Sequence, residues 1–409
     1  MAKPIGKAIG ITCGVGSLLI GAREAGFEVV GNVEWRTYYA AKDKRTGKNT
    51  FEHNFPGAFY RKRIEDLAFD EQMKLYDADV AMSHPECGNW SLMTVSANSR
   101  NLKKNPSDIP LAIGMVDKFK PRFFALDEMP GALEAITVEE WKRLLPDYDL
   151  FPEWVSNYHY GNVQWNRRRM FMIGALKDES FVFTPGEFDH DTTVWDVIGN
   201  IPSDTPNHEP AFAGDLPAAL GSNIVEYGKR LSYRELYAHM RIRPTGKMIQ
   251  YINAEGDLKW RLGVCRLKED GYSHLLYGGH RHFHPRTGAF LTTRERARIQ
   301  GVPDDFVFTG AKIEPDGTFI PDSNIAMAKQ TGKFMPVQFG RYVNKQFAAA
   351  VTGEPFAASG RRMVHSNPMV DAAKLKICHD LGAYTGKNDQ QYRACLNCWL
   401  NKDCHKSLV

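Results

Sequence analysis

The sequence lacks any apolar run near the roughly 18 consecutive residues that a membrane helix requires. Its N-terminus, MAKPIGKAIGIT, also lacks the long apolar core of a secretory signal. The charge imbalance is small, because 52 Lys and Arg residues against 48 Asp and Glu residues leave a net charge of +4. That balance permits nucleic-acid binding without requiring it. We therefore expect a globular, cytoplasmic chain with no membrane association.

Cysteine is scarce, with 7 residues in 409, and is unevenly placed. Three cysteines are scattered, whereas Cys378, Cys395, Cys398 and Cys404 share the C-terminal tail. In a chain without a secretory signal, such clustering favours a metal site over disulfides. Tetrahedral zinc and a [4Fe–4S] cluster both accept four thiolates. The Cys-x2-Cys-x5-Cys spacing resembles the cluster loops of some DNA glycosylases and RecB-type nucleases, which favours the cluster, with zinc as the alternative.

Strand-like and helix-like segments alternate along the first part of the chain. This alternation predicts an α/β fold with a doubly wound, mostly parallel sheet. The first predicted strand ends near Ile11. The other predicted strands cover Phe27–Val33, Val80–Ser83, Phe123–Asp127 and Arg169–Ala175. The predicted helices are Leu18–Ala25, Pro110–Phe119, Val138–Leu145, Thr292–Gln300 and Gln338–Val351.

Changes in composition divide the chain into four segments. Residues 1–188 are predicted to form a cofactor-binding and catalytic domain, and residues 280–355 to return to it with closing helices. Residues 189–279 are irregular and basic, with aromatic residues interleaved, and are predicted to form a smaller target-recognition domain. Residues 356–409 form the Cys-rich tail. No internal repeat or low-complexity tract is present.

Two places carry the chemistry. Gly14 and Gly16 follow the first strand, and Glu34 follows the second, which is the pattern of a nucleotide-type crevice whose acid holds ribose hydroxyls. Such glycines also serve ordinary tight turns. Cys87 lies just past the predicted strand Val80–Ser83, at the edge where α/β folds place active sites, and a thiolate there is a nucleophile. A buried structural cysteine is the alternative.

An ordered set of motifs resembles the DNA cytosine-C5 methyltransferase family. The segment ITCGVGSLLIGAREAGFEVVGNVEW is similar to the family's cofactor loop, and HPECGNWS to its Pro-Pro-Cys-Gln-x-Phe-Ser loop. PRFFALDEMPGAL is similar to the segment with the Glu-Asn-Val acid, and NRRRMFMIG to the Arg-x-Arg strand. HPRTGAFLTTRERARIQGVPDDF and KQTGKFMPV are similar to the Leu-Thr-x-Arg-Glu helix and the closing Gln-x-Gly-Asn-x-x-Pro motif. Together the motifs span residue 8 to about residue 345.

The resemblance implies an S-adenosylmethionine-dependent fold and a covalent mechanism on a flipped cytosine in double-stranded DNA. Cys87 falls on the nucleophile, which adds to C6 so that C5 can take the carbon. A carboxylate near residue 127 falls on the acid at N3, and Arg169 on the cation at O2, with Arg167 in register beside it. The implied cofactor-binding residues are Thr12, Cys13, Gly14, Gly16, Glu34, Trp35, Ile64, Pro85 and Lys333.

Several positions depart from the family pattern. Asp127 stands where the family has Glu, and Glu128 where it has Asn, so either carboxylate is a candidate for the acid, with Asp127 preferred. Glu86 and Gly88 flank Cys87 in place of Pro and Gln. Trp165 takes the place of a Gln, which Gln164 would supply after a small slip.

Lys333 replaces the asparagine of the closing motif. An ammonium beside a sulfonium is unfavourable by roughly 1 to 4 kcal/mol at ~4 Å. Lys333 therefore either turns to solvent or DNA phosphate, or pairs with a cofactor that carries an extra carboxylate. The second case predicts carboxy-S-adenosylmethionine as cofactor and 5-carboxymethylcytosine as product.

The sequence leaves two other functions open. One is an RNA cytosine-C5 methyltransferase, because the same loop serves a tRNA-modifying branch of the family. The other is a catalytically inactive DNA-binding relative. The long basic recognition segment favours DNA, and the joint presence of Cys87, Arg169 and Glu34 favours an enzyme. We expect a monomer, and the sequence does not indicate whether a restriction partner exists.

Overall fold

The structure is a computed structural model, and it describes only part of the chain. The described residues are 3–36, 39–40, 42–43, 46–85, 108–128, 136–164, 167–186, 192–208, 241–242, 248–252, 258–262, 265–273, 275–276, 282–286, 290–310, 312–313, 319–320, 324–335 and 337–356.

A seven-stranded sheet forms the centre of the fold. Its strands are β1 (Gly6–Ile11), β2 (Phe27–Val33), β3 (Ala58–Tyr60), β4 (Val80–Ser83), β5 (Phe123–Glu128), β6 (Tyr148–Ser156) and β7 (Arg168–Leu176). Their order is β3-β2-β1-β4-β5-β7-β6. The neighbouring pairs β3–β2, β2–β1, β1–β4 and β4–β5 are parallel, whereas β7 runs antiparallel to both β5 and β6. The predicted mostly parallel sheet is confirmed, with β7 as its reversed strand.

Helices cover both faces of this sheet. The helices are α1 (Ser17–Glu24), α2 (Thr50–Asn54), α3 (Phe69–Tyr76), α4 (Ile109–Phe119), α5 (Val138–Leu144), α6 (Val194–Ile198), α7 (Thr293–Ile299), α8 (Asn324–Lys333) and α9 (Val337–Thr352). On one face α1 packs against α9, and the contact is close. A Cβ added at Gly21 would lie 2.4 Å from the carbonyl carbon of Gly340.

Alternation along the strands divides the core in two. Phe123 and Ala125 of β5 pack with α1 and α9, whereas Phe124 and Leu126 pack with α4 and α5. Successive strand side chains point to opposite faces, so both faces of a central strand must be apolar when helices cover both. The same alternation decides which polar residues meet where the strands end.

The described part of the predicted recognition region, residues 189–279, contains α6 and several short strands. A three-stranded antiparallel sheet contains β8 (Arg241–Ile242), β9 (Met248–Ile252) and β10 (Leu258–Leu262). Two small pairs follow, β11 (Cys265–Arg266) with β12 (His282–Phe283) and β13 (Lys312–Ile313) with β14 (Phe319–Ile320). In the described part of the chain, no helix has the length and apolar character needed to cross a membrane.

Candidate active site

The loop after β1 has an unusual backbone. Thr12, Gly14 and Gly16 all have positive φ, at 52°, 60° and 93°. A β-branched residue such as Thr12 rarely adopts this conformation, which persists only where the surroundings impose it. A Cβ at Gly16 would lie 2.6 Å from the Phe55 ring, so this position has no room for a side chain. The backbone of this buried loop is therefore closely packed just before α1.

Side chains from β2 hold this loop in place. Asn32 Nδ2 donates to the Gly14 carbonyl at 2.8 Å, and Glu34 Oε2 accepts from the Gly14 amide at 2.9 Å. Cys13 is fully enclosed in the same loop, and burial first of all raises the pKa of its thiol to about 12. Cys13 therefore acts as a small packing residue and not as a thiolate.

Glu34 is fully buried and forms a paired contact with Arg36. Arg36 Nε donates to Glu34 Oε1 at 2.7 Å, and Arg36 Nη2 donates to Oε2 at 2.9 Å. The Arg36 Nη2 group also donates to the Thr12 carbonyl at 3.0 Å and lies 3.4 Å from the His84 carbonyl oxygen. One guanidinium thus joins the glycine loop, the end of β2 and the end of β4. The sequence analysis did not single out Arg36.

Trp35 supplies an exposed aromatic surface beside this acid. Its side chain is 38% exposed, and the Arg63 guanidinium carbon lies 5.4 Å from the centroid of its ring. Ile64 begins a short 3-10 helix, Ile64–Asp66, that follows Arg63. Trp35 and Ile64 therefore come from two chain segments that follow neighbouring strands of the sheet, β2 and β3.

A second buried acid cluster lies where β4 and β5 end and β7 begins. Arg169 Nε donates to Asp127 Oδ1 at 2.7 Å, and Arg169 Nη2 donates to Oδ2 at 2.7 Å. His84 Nδ1 lies 2.5 Å from the same Oδ2 atom. Asp127 is fully buried, and the other two residues are 4% and 6% exposed. A carboxylate, a guanidinium and an imidazole thus form one compact group.

The pairing keeps Asp127 ionised. Burial alone would raise the pKa of this carboxyl, but attraction by Arg169 and the bond from His84 outweigh it, so the pKa lies below its usual range. For His84, burial is the largest influence and lowers the pKa of the imidazole in spite of the neighbouring carboxylate. The group therefore contains a charged pair beside a neutral histidine at physiological pH.

Glu128 lies on the other side of the sheet. It follows Asp127 on β5 and pairs with Met170, whose side chain belongs to the α4 and α5 face. Because strand side chains alternate, Asp127 shares its face with Arg169, whereas Glu128 does not. Both carboxylates are fully buried.

Arg167 has a different surrounding from Arg169. Its Nη2 group donates to the Phe334 carbonyl at 2.7 Å, directly after Lys333. Two residues before Lys333, the Thr331 hydroxyl accepts a hydrogen bond from Arg296 Nε at 2.9 Å. Lys333 itself is half-buried at the last position of α8. The segment around Lys333 is therefore held by buried arginines.

Gln164 joins the same network. Its side-chain amide donates to Gln300 Oε1 at 2.7 Å and accepts from the Leu276 amide at 3.0 Å. Gln300 in turn donates to the Thr331 carbonyl at 2.9 Å. Gln164 is therefore hydrogen-bonded at both its amide nitrogen and its amide oxygen, whereas Trp165 lies outside the described residues.

Comparison with known proteins decides the family. The family model for C-5 cytosine-specific DNA methylases matches residues 6–348. The chain belongs to this family. The enzyme is thus a transferase related to DNA cytosine-5 methyltransferases, whose cofactor is S-adenosylmethionine and whose substrate is DNA.

Two type II methyltransferases are similar to the chain in sequence, and a solved structure is similar to it in fold. The enzyme is 26% identical to the type II methyltransferase M.MthTI of Methanothermobacter thermautotrophicus, over 78% of this chain and 94% of that protein. It is 25% identical to the type II methyltransferase M.XorII of Xanthomonas oryzae pv. oryzae, over 92% and 93%. The fold is similar to that of Spodoptera frugiperda DNMT2, with a TM-score of 0.53 and 12% identity over 84% of this chain and 99% of that one.

The structure brings most of the predicted site residues to one edge of the sheet. Thr12 and Gly14 follow β1, Glu34 follows β2 and buried Pro85 follows β4, whereas Asp127 is the second-to-last residue of β5 and Arg169 the second residue of β7. The predicted nucleophile Cys87 lies outside the described residues, as do Glu86, Gly88 and the tail cysteines Cys378, Cys395, Cys398 and Cys404. Within the described residues, no group of three or more His, Cys, Asp or Glu side chains could hold a metal ion.

His84 and Arg36 are the site residues that the sequence analysis missed. Both stand next to motif positions, His84 directly before Pro85 and Arg36 directly after Trp35. Neither belongs to the family motif, so no pattern drew attention to them. A polar residue adjoining the end of a predicted strand was the available signal.

Proposed function

We propose that the enzyme transfers a methyl group to C5 of a cytosine flipped out of duplex DNA, with Cys87 as the nucleophile. The observation that carries the proposal is the buried Asp127–Arg169 pair with His84, placed where β4 ends, three residues before Cys87 in the chain. Active sites of parallel α/β folds lie at this edge. The family membership supports the same reaction.

The reaction needs a nucleophile because C5 of cytosine is too electron-poor to attack a sulfonium. A bond from the Cys87 sulfur to C6 places electron density on C5, which then forms the bond to the methyl carbon. The C5 proton next leaves to a base, and the sulfur–C6 bond breaks to release the product. Arg169 is the proposed cation at O2, where negative charge develops on the ring.

Asp127, rather than Glu128, is the proposed carboxylate of the cytosine site. It shares the sheet face of Arg169, and Glu128 faces the opposite core. Because Asp127 is one methylene shorter than the family's glutamate and is held by Arg169 on both oxygens, its reach is limited. Because Asp127 is ionised in this pairing, it would accept a hydrogen bond from N3 once that nitrogen carries a proton.

The residues after β1 and β2 fit S-adenosylmethionine. The Thr12–Gly16 loop has two glycines at positive φ, buried Glu34 lies beside it, and the Trp35 side chain is 38% exposed. These residues, with Cys13, Ile64 and Pro85, are proposed to hold the cofactor. When bound, S-adenosylmethionine supplies the transferred carbon on a sulfonium leaving group.

Nucleoside mass spectrometry of DNA from cells that express the chain tests the reaction. We expect 5-methylcytosine in DNA with the parent chain and none with Cys87→Ser. A Cys265→Ser variant, changed at a cysteine outside the motifs, is the matched control and should retain the product. Modification of RNA instead of DNA would favour the alternative substrate, and modification by Cys87→Ser at the parent rate would overturn the mechanism.

Trapping on 5-fluorocytosine DNA separates a live enzyme from an inactive relative. Fluorine at C5 cannot leave as a proton, so a reacting cysteine stays bonded to C6. We expect a covalent protein–DNA complex that requires both Cys87 and S-adenosylmethionine. Tight DNA binding without any covalent complex would identify a DNA-binding relative without activity.

Carboxymethyl transfer is a second candidate, carried by Lys333. Lys333 is half-buried, and its neighbours Thr331 and Phe334 are held by Arg296 and Arg167. An ammonium there would attract the extra carboxylate of carboxy-S-adenosylmethionine. With both cofactors supplied, mass spectrometry should then detect 5-carboxymethylcytosine, and Lys333→Asn should shift the product towards 5-methylcytosine. An unchanged product ratio in Lys333→Asn would rule the candidate out.

The metal site of the tail stays a sequence-based proposal. Four cysteines between Cys378 and Cys404 would hold a [4Fe–4S] cluster, with zinc as the alternative. A brown protein that absorbs near roughly 400 nm would support the cluster. Stoichiometric zinc in a colourless protein would support zinc, and the absence of either metal from the full chain would refute both.

A further inference from the structure

His84 has one ring nitrogen committed and the other available. Its Nδ1 atom lies 2.5 Å from Asp127 Oδ2, and Arg169 Nη2 lies farther from the same nitrogen, at 3.5 Å. Within the part of the chain that the structure describes, Nε2 makes no hydrogen bond. His84 is 6% exposed and directly follows β4, at the edge of the sheet where β4 and β5 end.

Asp127 fixes the tautomer of this imidazole. An ionised carboxylate can only accept hydrogen bonds, and Arg169 already donates to both of its oxygens. The short contact to Oδ2 therefore requires the hydrogen of a neutral imidazole to be on Nδ1. The other nitrogen, Nε2, then presents a lone pair and no hydrogen. The lowered pKa of His84 agrees with a neutral ring.

Cytosine carries a matching group. Its exocyclic N4 amino group is a donor, whereas uracil and thymine carry an oxygen acceptor at the same place. A lone pair aimed at this position would therefore attract cytosine and repel uracil. A flipped base is recognised by hydrogen bonds to its Watson–Crick edge, which includes position 4.

We propose that His84 Nε2 accepts a hydrogen bond from the N4 amino group of the target cytosine, and that Asp127 positions the ring for it. His84 is then a specificity-determining residue, and Arg169 secures the tautomer indirectly by keeping Asp127 an acceptor. The proposal rests on the proposed cytosine chemistry and adds the group that distinguishes cytosine from other pyrimidines.

A double-mutant cycle tests this contact by combining the His84→Ala substitution with removal of the N4 amino group from the base. The two substrates are duplexes of the same sequence that differ only at the target cytosine mapped by the mass-spectrometry experiment. One duplex contains 5-fluorocytosine at this position, and the other contains 5-fluoro-2-pyrimidinone. The second base has hydrogen in place of the amino group. The rate of covalent adduct formation is measured with S-adenosylmethionine present, for the parent chain and for His84→Ala. The loss of one neutral hydrogen bond should slow the cytosine reaction about threefold to tenfold.

The decisive result is the pattern across the cycle. We expect His84→Ala to slow adduct formation on 5-fluorocytosine about threefold to tenfold more than on 5-fluoro-2-pyrimidinone, because only the first base loses a hydrogen bond to its amino group. Equal slowing on both bases would overturn the proposal and assign His84 a structural role. If the parent chain forms no adduct on either base, the proposed function fails instead.

His84→Phe guards against loss of folding. It keeps a ring of similar shape while removing both nitrogens, and it should show the same dependence on the base. His53→Ala, which changes a half-buried histidine on α2, is the matched control and should keep the parent rates on both bases. A His84→Phe chain that retains full preference for the amino-bearing base would also overturn the proposal.

Discussion

Two buried carboxylate–arginine pairs lie at the same edge of the sheet, and they are built differently. Glu34 and Arg36 are two residues apart, and the Glu34 carboxylate also accepts from the Arg36 and Gly14 backbone amides. Asp127 and Arg169 are 42 residues apart and come from adjacent antiparallel strands. The first pair is a local feature of the chain, and the second exists only when the sheet is assembled.

The difference bears on what each pair can do. The Glu34 side is supported by backbone donors and stays in place if one side chain changes. The Asp127 side depends on three side chains, so loss of one leaves another buried charge without compensation. The Glu34–Arg36 pair, on the proposed cofactor side, should therefore tolerate substitution better than the Asp127–Arg169 pair, on the proposed cytosine side.

The largest expected effect comes from Arg169→Met. The substitution leaves the Asp127 carboxylate buried with only His84, so the free energy of unfolding should fall by about 3–5 kcal/mol. Urea denaturation of the parent and the variant measures it. A double variant with Asp127→Asn should regain part of the loss, whereas a loss below about 1 kcal/mol would mean that the pair is not buried as described.

Arg36→Met tests the cofactor side in the same way. Two backbone amides still donate to Glu34, so the expected loss of unfolding free energy is smaller, about 2–3 kcal/mol. The same urea experiment applies, with Arg36→Lys as the charge-retaining control. If Arg36→Met costs as much as Arg169→Met, the proposed contrast between the two pairs does not hold.

Gly16→Ala tests whether backbone conformation alone shapes the cofactor loop. A side chain at a φ of 93° is strained and would lie 2.6 Å from Phe55, so unfolding free energy should fall by about 1–2 kcal/mol. S-adenosylmethionine affinity, measured by calorimetry, should also fall. Gly353→Ala is the control, because Gly353 has a φ of 72° but no described atom lies within 4 Å of an added Cβ. The S-adenosylmethionine affinity of this variant should not change.

The smallest effect is expected at Cys13. Its thiol has a pKa of about 12, so it should stay unmodified by iodoacetamide at pH 8 in the folded chain. Peptide mass spectrometry measures the alkylation of each cysteine. Rapid alkylation of Cys13, at the rate seen in urea, would show that the glycine loop opens readily and would weaken the description of the cofactor side.

Local patterns predicted much of the sheet. β2 and β4 match their predicted ranges, and β5, β7 and most of the predicted helices differ by one or two residues at their ends. The sheet edge strands β3 and β6 and the short strands β8–β10 were not predicted. β3 and β8–β10 are only two to five residues long and carry little periodic signal, whereas Pro152 interrupts the strand pattern of β6.

The sequence by itself determined the family and the order of the motifs, and it predicted that Gly14, Gly16, Glu34 and Trp35 lie close together, because they stand within one short βαβ segment. It could not choose between Asp127 and Glu128, since both stand at the end of the same strand. The tertiary structure decided only which of the two contacts Arg169 and His84, and that residue is Asp127. Adjacent strand residues point to opposite faces, and only strand pairing determines which face carries the partners.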